Sequence, residues 1–388
     1  MFRVTILQQI LPVYRVPFFE ALAQTGQMEL HLFYDDEFMG HQSHGDGSLV
    51  FTRVGKAPIK KLISRFYWQN HPQILGGLKA GDILVVSGSP WFLSNYYLIW
   101  KARRKGIGVV WWGQGFSTTT TRTRLILKRI LMKMAHTWIL YTSEETARFK
   151  QFGFDPHRLF AAENTMDTQA IRDVANQWDS GRLAQFKERE GISNRSCLLF
   201  CSRLIPKTKL HLLMDILPDL IKQHPSTLLL IIGDGPLKQE LQKRAEEDGT
   251  QDAIRFLGAI HAEDQLAPWF LSSEAFVYPG AVGLSILHGL SYGLPMVLHG
   301  TRSEHGPEFA AFQDGVNGFS FKEDQAPDFL EKILSILKDP ALRDRLSDGA
   351  LETVEKRFNM KIMVGNFMKA FQKTREMVAL VKGNKTKL

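Results

Sequence analysis

Short apolar runs rich in β-branched and aromatic residues recur along this chain, and a helix-length stretch follows almost every one. "FRVTILQ", "MELHLFY", "DILVVSG", "GVVWWG" and "TWILYT" form a first series; "CLLFCSR", "STLLLIIGDG", "AIRFLG", "EAFVYPG", "LPMVLHG" and "NGFSF" form a second. Strands alternating with helices imply parallel strands joined by crossovers, a sheet covered on both faces. The polar stretch "NTMDTQAIRDVANQWDSGRLAQFKEREGISNRS" separates the two series, so the expectation is α/β with two doubly wound domains. A chain of 388 residues is long enough for each to bury its own interior. The boundary is placed near residues 170–195, giving domains 1–175 and 176–365, with 366–388 set apart as a C-terminal helix and basic tail.

No apolar stretch approaches the roughly 18 residues a spanning helix needs. The start, "MFRVTILQQILPVYR", reads as a strand and its loop, not as a secretion signal, and a cytoplasmic address follows. Cys197 and Cys201, in "CLLFC", are expected to be reduced and packed in a strand. The net charge of +8 is unevenly spread. Residues 1–170 hold 20 Lys+Arg against 12 Asp+Glu, which leaves 28 of each in 171–388. Within 50–134 stand 15 basic side chains and one acidic residue, Asp82. Such a field calls for an anionic partner or surface. No nucleic-acid-binding motif accompanies it, so no nucleic acid is expected.

Three segments carry candidate chemistry. In "LLLIIGDGPLKQEL", Gly233 and Gly235 permit a tight strand-to-helix turn. In "CSRLIPKTKLHLLMDIL", Arg203, Lys207 and Lys209 occupy the loop and start of the next helix, where the helix dipole disfavours cations unless an anion compensates; a diphosphate would do so. In "YPGAVGLSILHGLSYGLP", Gly280 and Gly283 would let a ligand approach the backbone, Leu284 and Ser285 would open a helix with free N–H groups, and His288 would share the face of Ser285. A hydrogen-bonded core histidine is the alternative for His288.

Together these segments resemble the GT-B glycosyltransferases, in particular family 4 (glycosyl transferases group 1). The matching stretches are "SRLIPKTK", "LLLIIGDGP", "IRFLGAI", "FVYPGAVGLSILHGLSYGLPMV" and "GPEFAAFQDGVNGFSF", in the family's order over about residues 198–322. The resemblance implies two Rossmann-like domains facing a cleft, with a nucleotide-diphosphate-sugar donor in the second and no other cofactor or metal. By analogy, Arg203 with Lys207 or Lys209 grips the diphosphate, backbone from Gly258 to Ile260 holds the base, and the amides of Gly283, Leu284 and Ser285 meet the phosphates. The family's two motif glutamates are absent: Gly280 and His288 stand at their places. An imidazole can still serve the ribose hydroxyls. The sugar then falls to other groups, Glu304, His305 or Glu308.

In the first domain, loops after the parallel strands should carry the ligand, which nominates for the acceptor Gln9, Tyr14 and Arg15 after the first strand, "SGSPWF" at 87–92, and "WWGQGFS" at 111–117 with Gln114. Where relatives often place a histidine, Gln114 stands, and it is no base. His41, His44, Asp35 and Asp36 are candidate bases, with a solvated loop as the alternative. The segment "TRTRLILKRILMKMAH" interleaves Arg122, Arg124, Lys128, Arg129 and Lys133 with leucine, isoleucine and methionine. This composition suits an anionic membrane surface, and it equally suits a helix covering the sheet with its charges solvated.

The expected function is therefore transfer of a sugar from a nucleotide-diphosphate-sugar to a glycan acceptor, lipid-linked, in bacterial surface polysaccharide assembly. Retention at the anomeric carbon and a place at the inner face of the cell membrane are expected with it. A sugar-nucleotide epimerase and an inactive sugar-nucleotide binder are the alternatives.

Overall fold

The computed structural model describes residues 1–43, 49, 52–115 and 122–385. The chain divides into two compact units: Met1–Asp167 together with Met360–Leu388, and Thr168–Asn359.

The first unit is built on a seven-stranded parallel sheet. Its strand order is Leu159–Ala161, Thr137–Leu140, Gly108–Gly113, Ile83–Ser87, Phe2–Leu7, Met28–Tyr34 and Arg53–Lys56. The inner strands are apolar on both faces because both are covered. Val110 and Trp112 look into one cluster with Phe18, Phe19, Met363, Phe367 and Phe371, while Val109 and Trp111 look into the other with Leu98, Leu131, Met132 and Trp138. This is the two-residue period of a strand expressed in full.

Helix Met360–Lys385 closes the first of these faces. Its place differs from the division at 365/366 expected from sequence. The helix starts six residues earlier and packs on the first unit, with Phe367 4.7 Å from Phe18 and 4.9 Å from Trp112 between ring centroids. Thr374 Oγ1 meets Thr137 Oγ1 at 2.6 Å. Leaving side chains such as Phe367 and Phe371 in water would forgo roughly 1.5–3 kcal/mol each, and this sheet face is where they find cover.

Helix Arg122–Met134 closes part of the second face. Leu131 and Met132 are buried there, and so is Lys128. The Lys128 ammonium donates to the carbonyl oxygens of Gln114 and Gly115, both at 2.6 Å. Lys128 is thus removed from the set expected to dock on a membrane: a buried ammonium held by two backbone carbonyls is not available to a lipid headgroup. Arg129 and Lys133 do lie on the exposed side, beside Ile126 and Ile130. The side chains of Arg122 and Arg124 lie outside the described residues, as does His44.

The second unit holds a six-stranded parallel sheet in the order Ile254–Gly258, Thr227–Ile232, Ser196–Cys201, Ser273–Tyr278, Met296–His299 and Gly318–Phe321. Both sheets share one topological rule. The strand that comes first in each unit lies inside its sheet, fifth of seven in one and third of six in the other, and the order reverses there. In such sheets ligands bind outside the carboxyl ends of the strands flanking the reversal. The rule points to the loops after Phe2–Leu7 and Ile83–Ser87 in one unit, and after Ser196–Cys201 and Ser273–Tyr278 in the other. No helix among the described residues is long and apolar enough to cross a membrane.

Candidate functional site

In the second unit, three loops interlock at the reversal point. The loop following Ser196–Cys201 is threaded between its neighbours: the Leu204 amide donates to Asp234 O at 2.9 Å, the Leu237 amide to Leu204 O at 3.1 Å, and the Ala281 amide to Lys207 O at 3.2 Å. Tyr278 adds a hydroxyl bond to Ser202 Oγ at 3.1 Å. Gly280 is glycine for this reason. A Cβ built on it would collide with the carbonyl oxygen of Lys207 and come within 2.7 Å of Thr208 Cα. The close approach at Gly280 is thus made by the chain's own backbone, not by a ligand as its sequence suggested. Gly283, by contrast, faces open space.

The cations sort themselves by geometry. Arg203 and Lys207 are exposed, and neither has an ion-pair partner among the described residues. Lys209 adopts a left-handed conformation with φ +50° and reaches away to Glu323 at 2.7 Å and Asp324 at 2.8 Å. The choice between Lys207 and Lys209 left open by the sequence is narrowed by this engagement. On the loop that the Ala281 amide ties to Lys207 O, the amides of Gly283, Leu284 and Ser285 have no acceptor among the described residues. Ser285 does not cap the short helix Ser285–Ser291 with its side chain; the N-cap position falls on Leu284. Gly258 ends its strand, and its carbonyl accepts the Gly233 amide at 2.7 Å; Ile260 stands two residues on, half-buried.

His288 is engaged with a group that sequence reasoning missed. Its Nε2 lies 2.9 Å from Glu263 Oε1, which also accepts the Tyr292 hydroxyl at 2.5 Å, and its ring stacks on Phe270 at 4.5 Å. Burial pushes the Glu263 carboxyl up, but the hydrogen bond and charge of His288 and the bond from Tyr292 outweigh burial and hold it below its ordinary value. A carboxylate therefore stands behind the imidazole at this place in the motif.

Glu308 is buried on a segment zipped to the glycine loop. The Gly306 amide donates to Val282 O at 2.9 Å, and the Val282 amide donates to His305 Nδ1 at 3.1 Å. His305 Nε2 in turn faces the carbonyl of His299 at 2.8 Å, so its proton sits there. The ring is stacked between His299 and Phe309 at 4.0 and 4.1 Å. Burial pushes the His305 imidazole down to about 3, so it stays neutral and holds the loop. A Cβ on Gly306 would lie 2.9 Å from Glu308 Oε2 and 3.3 Å from Gly283 Cα, which brings Glu308 beside the open glycine. His305 thus has a structural duty, and Glu304 is exposed.

In the first unit a cavity of about 400 Å³ lies at the reversal point, within the roughly 300–1,000 Å³ typical of small-molecule sites. Gln8, Gln9 and Ser89 come from the two flanking loops, Gln114 and Lys128 from beyond the next strand, and aromatic rings complete the wall. Gln114 thus lines the cavity. Arg15 stands behind it: it is buried, with its guanidinium 4.9 Å from the Trp112 ring and 5.6 Å from that of Tyr141, both of which line the wall, and 5.2 Å from Tyr14. Arg15 therefore supports the wall and does not line it. Asp35 accepts from the Ile59 amide at 2.7 Å and Asp36 pairs with Lys56 at 2.6 Å, so both already have structural partners; His41 is exposed.

Comparison with known proteins bears on the family and the fold. Glycosyl transferases group 1 is the family that fits residues 182–353. The lipopolysaccharide core biosynthesis glycosyltransferase LpsE of Rhizobium meliloti is 26% identical over 203 residues, 51% of this chain and 56% of that protein. The GDP-mannose-dependent alpha-(1-6)-phosphatidylinositol monomannoside mannosyltransferase of Mycolicibacterium smegmatis is 31% identical over 140 residues, covering 34% of this chain and 36% of the relative. The chain thus spans little more than half, or less, of the relatives it resembles in sequence. Among solved structures, Anabaena Alr3699/HepE in complex with UDP superposes with a TM-score of 0.71 at 14% identity, over 96% of this chain and all of that one. By these likenesses residues 182–353 match the glycosyl transferases group 1 family, and the chain has the two-domain α/β fold of the GT-B glycosyltransferases.

Proposed function

We propose that the protein transfers a sugar from a nucleotide-diphosphate-sugar to a lipid-linked glycan acceptor in bacterial surface polysaccharide assembly. The observation that carries this reading is the pairing of two uncommitted cations, Arg203 and Lys207, with the open amides from Gly283 to Ser285. The hydrogen bond from the Ala281 amide to Lys207 O, which ties the two loops together, supports this pairing. Two linked phosphoryl groups match that arrangement. Gly258 and Ile260 meet the base, His288 backed by Glu263 meets the ribose hydroxyls, and Glu308 meets the donor sugar.

In the reaction the bond between the anomeric carbon and the diphosphate oxygen breaks as the acceptor hydroxyl oxygen bonds to that carbon. Arg203, Lys207 and the amides stabilise the negative charge left on the diphosphate. With no carboxylate at Gly280, the departing phosphate oxygen takes the acceptor's proton on the same face, and the anomeric configuration is retained. The acceptor enters the first unit, where Gln114 lines the cavity and Tyr14 and Arg15 support it. Arg129 and Lys133, beside Ile126 and Ile130, face the anionic inner surface of the cell membrane. The names of LpsE and of the mycobacterial mannosyltransferase, both in glycolipid or lipopolysaccharide synthesis, support this assignment.

Release of nucleoside diphosphate from a panel of nucleotide sugars, with and without a bacterial glycolipid extract, tests the reading. Release only with extract is expected. An isomerised nucleotide sugar without acceptor would replace transfer with epimerisation, and saturable donor binding with no turnover would reduce the protein to a binder.

A further inference from the structure

The cavity of the first unit has a wall chemistry that selects one class of acceptor group. Its aromatic members include Tyr67, Trp91, Trp112 and Tyr141, and its polar members include Gln8, Gln9 and Gln114. The side-chain amides of these three glutamines have no hydrogen-bond partner among the described residues. Among the described residues no carboxylate lines the cavity, and the one charged lining residue is Lys128, whose ammonium donates to the carbonyls of Gln114 and Gly115. Gly88 and Gly113 approach so closely that a Cβ on Gly88 would stand 2.9 Å from Gly113 Cα, which leaves the floor of the cavity as bare backbone.

We propose that this cavity receives an uncharged sugar ring of the acceptor, its C–H face on the indole and phenol rings and its hydroxyls on the three side-chain amides. The inference rests on the glycosyl-transfer reading and names the substrate class at its acceptor site. Aromatic surface with unsatisfied amides suits a ring that is apolar on its faces and hydroxylated at its edge. An acyl chain would leave the amides without partners. A uronate or a sugar phosphate would shed its hydration with no uncommitted cation among the described lining residues to replace it. Arg15, whose buried Nη1 has no hydrogen-bond partner among the described residues, lies behind Trp112, and Arg65 lies over the Trp91 ring at 4.5 Å; neither lines the cavity.

Two tryptophans make the test direct: half-buried Trp91 would report on a ring stacked against it, and Trp112, buried in the wall, on the change beside it. Tryptophan emission of the full chain is titrated with uncharged methyl hexosides and disaccharides, and separately with methyl glucuronide and hexose 1-phosphate, each to saturation or solubility. At least one uncharged sugar is expected to give a saturable change, with affinity reduced at least tenfold in Gln114→Ala and in Trp91→Ala and largely kept in Trp91→Phe. Unfolding temperatures of the variants confirm that they fold. The inference is overturned if the charged sugars bind as well as or better than every uncharged one, or if no sugar binds at all. UDP binding by calorimetry is run in parallel. UDP bound without any uncharged sugar sinks this inference alone, whereas failure of UDP and of every nucleotide sugar sinks the transfer reading beneath it.

Discussion

The carboxylate of Glu263 accepts from two side chains of one helix face, Nε2 of His288 at 2.9 Å and the hydroxyl of Tyr292 at 2.5 Å. His288 and Tyr292 are four residues apart and so stack one above the other on the helix, and Glu263 opens the helix Glu263–Leu271 that faces them. The imidazole at the motif position is therefore not an isolated replacement for a glutamate. It works with an acid supplied from a distant part of the chain.

If that pair acts as a unit on the nucleotide, Glu263→Gln and His288→Ala should each weaken UDP binding about tenfold, near 1.4 kcal/mol. The double variant should be little worse than the weaker single one, because coupled residues do not add. Calorimetric titration with UDP checks this. Fully additive losses would show that the two side chains act separately.

The two lysines should separate cleanly. Lys207→Ala is expected to weaken UDP binding by about 1.5–3 kcal/mol, the range for a hydrogen bond to a charged group, with little change in unfolding temperature. Lys209→Ala should do the reverse, lowering the unfolding temperature by removing the partner of Glu323 and Asp324. Equal effects of both on UDP would contradict the assignment.

Restoring the family's glutamate at position 280 should damage the protein. Gly280→Ala already places a methyl group against Lys207 and Thr208 backbone, and overpacking of this kind costs roughly 1–3 kcal/mol; Gly280→Glu should cost more. Gly283→Ala, in open space, should leave stability unchanged and weaken UDP binding. Urea unfolding of the three variants decides it.

The ion pair of Lys209 gives a pH dependence of known sign. Hydrogen bonds from Lys209 and Thr301, with the nearby charge, hold the Glu323 carboxyl at about 2, against an ordinary 4.5. A depressed folded value favours the ionised form in the native state, so this contribution to stability is present above about pH 4.5 and is lost as pH falls towards 2. The stability difference between the protein and Glu323→Gln should shrink over that window. A constant difference from pH 6 to pH 3 would refute it.

Membrane docking should depend on position within one helix. Arg129→Glu with Lys133→Glu should abolish sedimentation with phosphatidylglycerol vesicles at low salt, since each basic residue near an anionic surface is worth about 1 kcal/mol. Lys128→Met should instead lower the unfolding temperature, because two backbone carbonyls, that of Gly115 buried, lose their donor, on the order of 1–3 kcal/mol. Unchanged sedimentation of the Arg129→Glu/Lys133→Glu variant would remove the membrane from the proposal.

Much of the frame was legible in the sequence because it is written in local periodicity. Runs such as "CLLFC" and "LLLII" have to be buried strands, and these became Ser196–Cys201 and Thr227–Ile232. Lys128 was also legible, although its charge drew the reading elsewhere. Residues 128, 131, 132 and 135 share one helical stripe, and all four are buried. Glu263 was not legible, since it meets His288 across 25 residues with no pattern to link them. Nor was the return of Met360–Lys385: an apolar helix face shows that cover is required, not which sheet provides it. Gly280 reads as space from sequence alone, and only the path of residues 207–208 reveals that the space is taken.

That returning helix sets the order in which the protein can mature. The unit Thr168–Asn359 is complete before Met360 leaves the ribosome, while the sheet begun at Phe2 waits for Phe367 and Phe371 to seal it. During synthesis the earlier-made half is thus the later one to finish. Its unsealed apolar face, with Trp112 at the edge of the sugar cavity, is the surface a chaperone would need to shield.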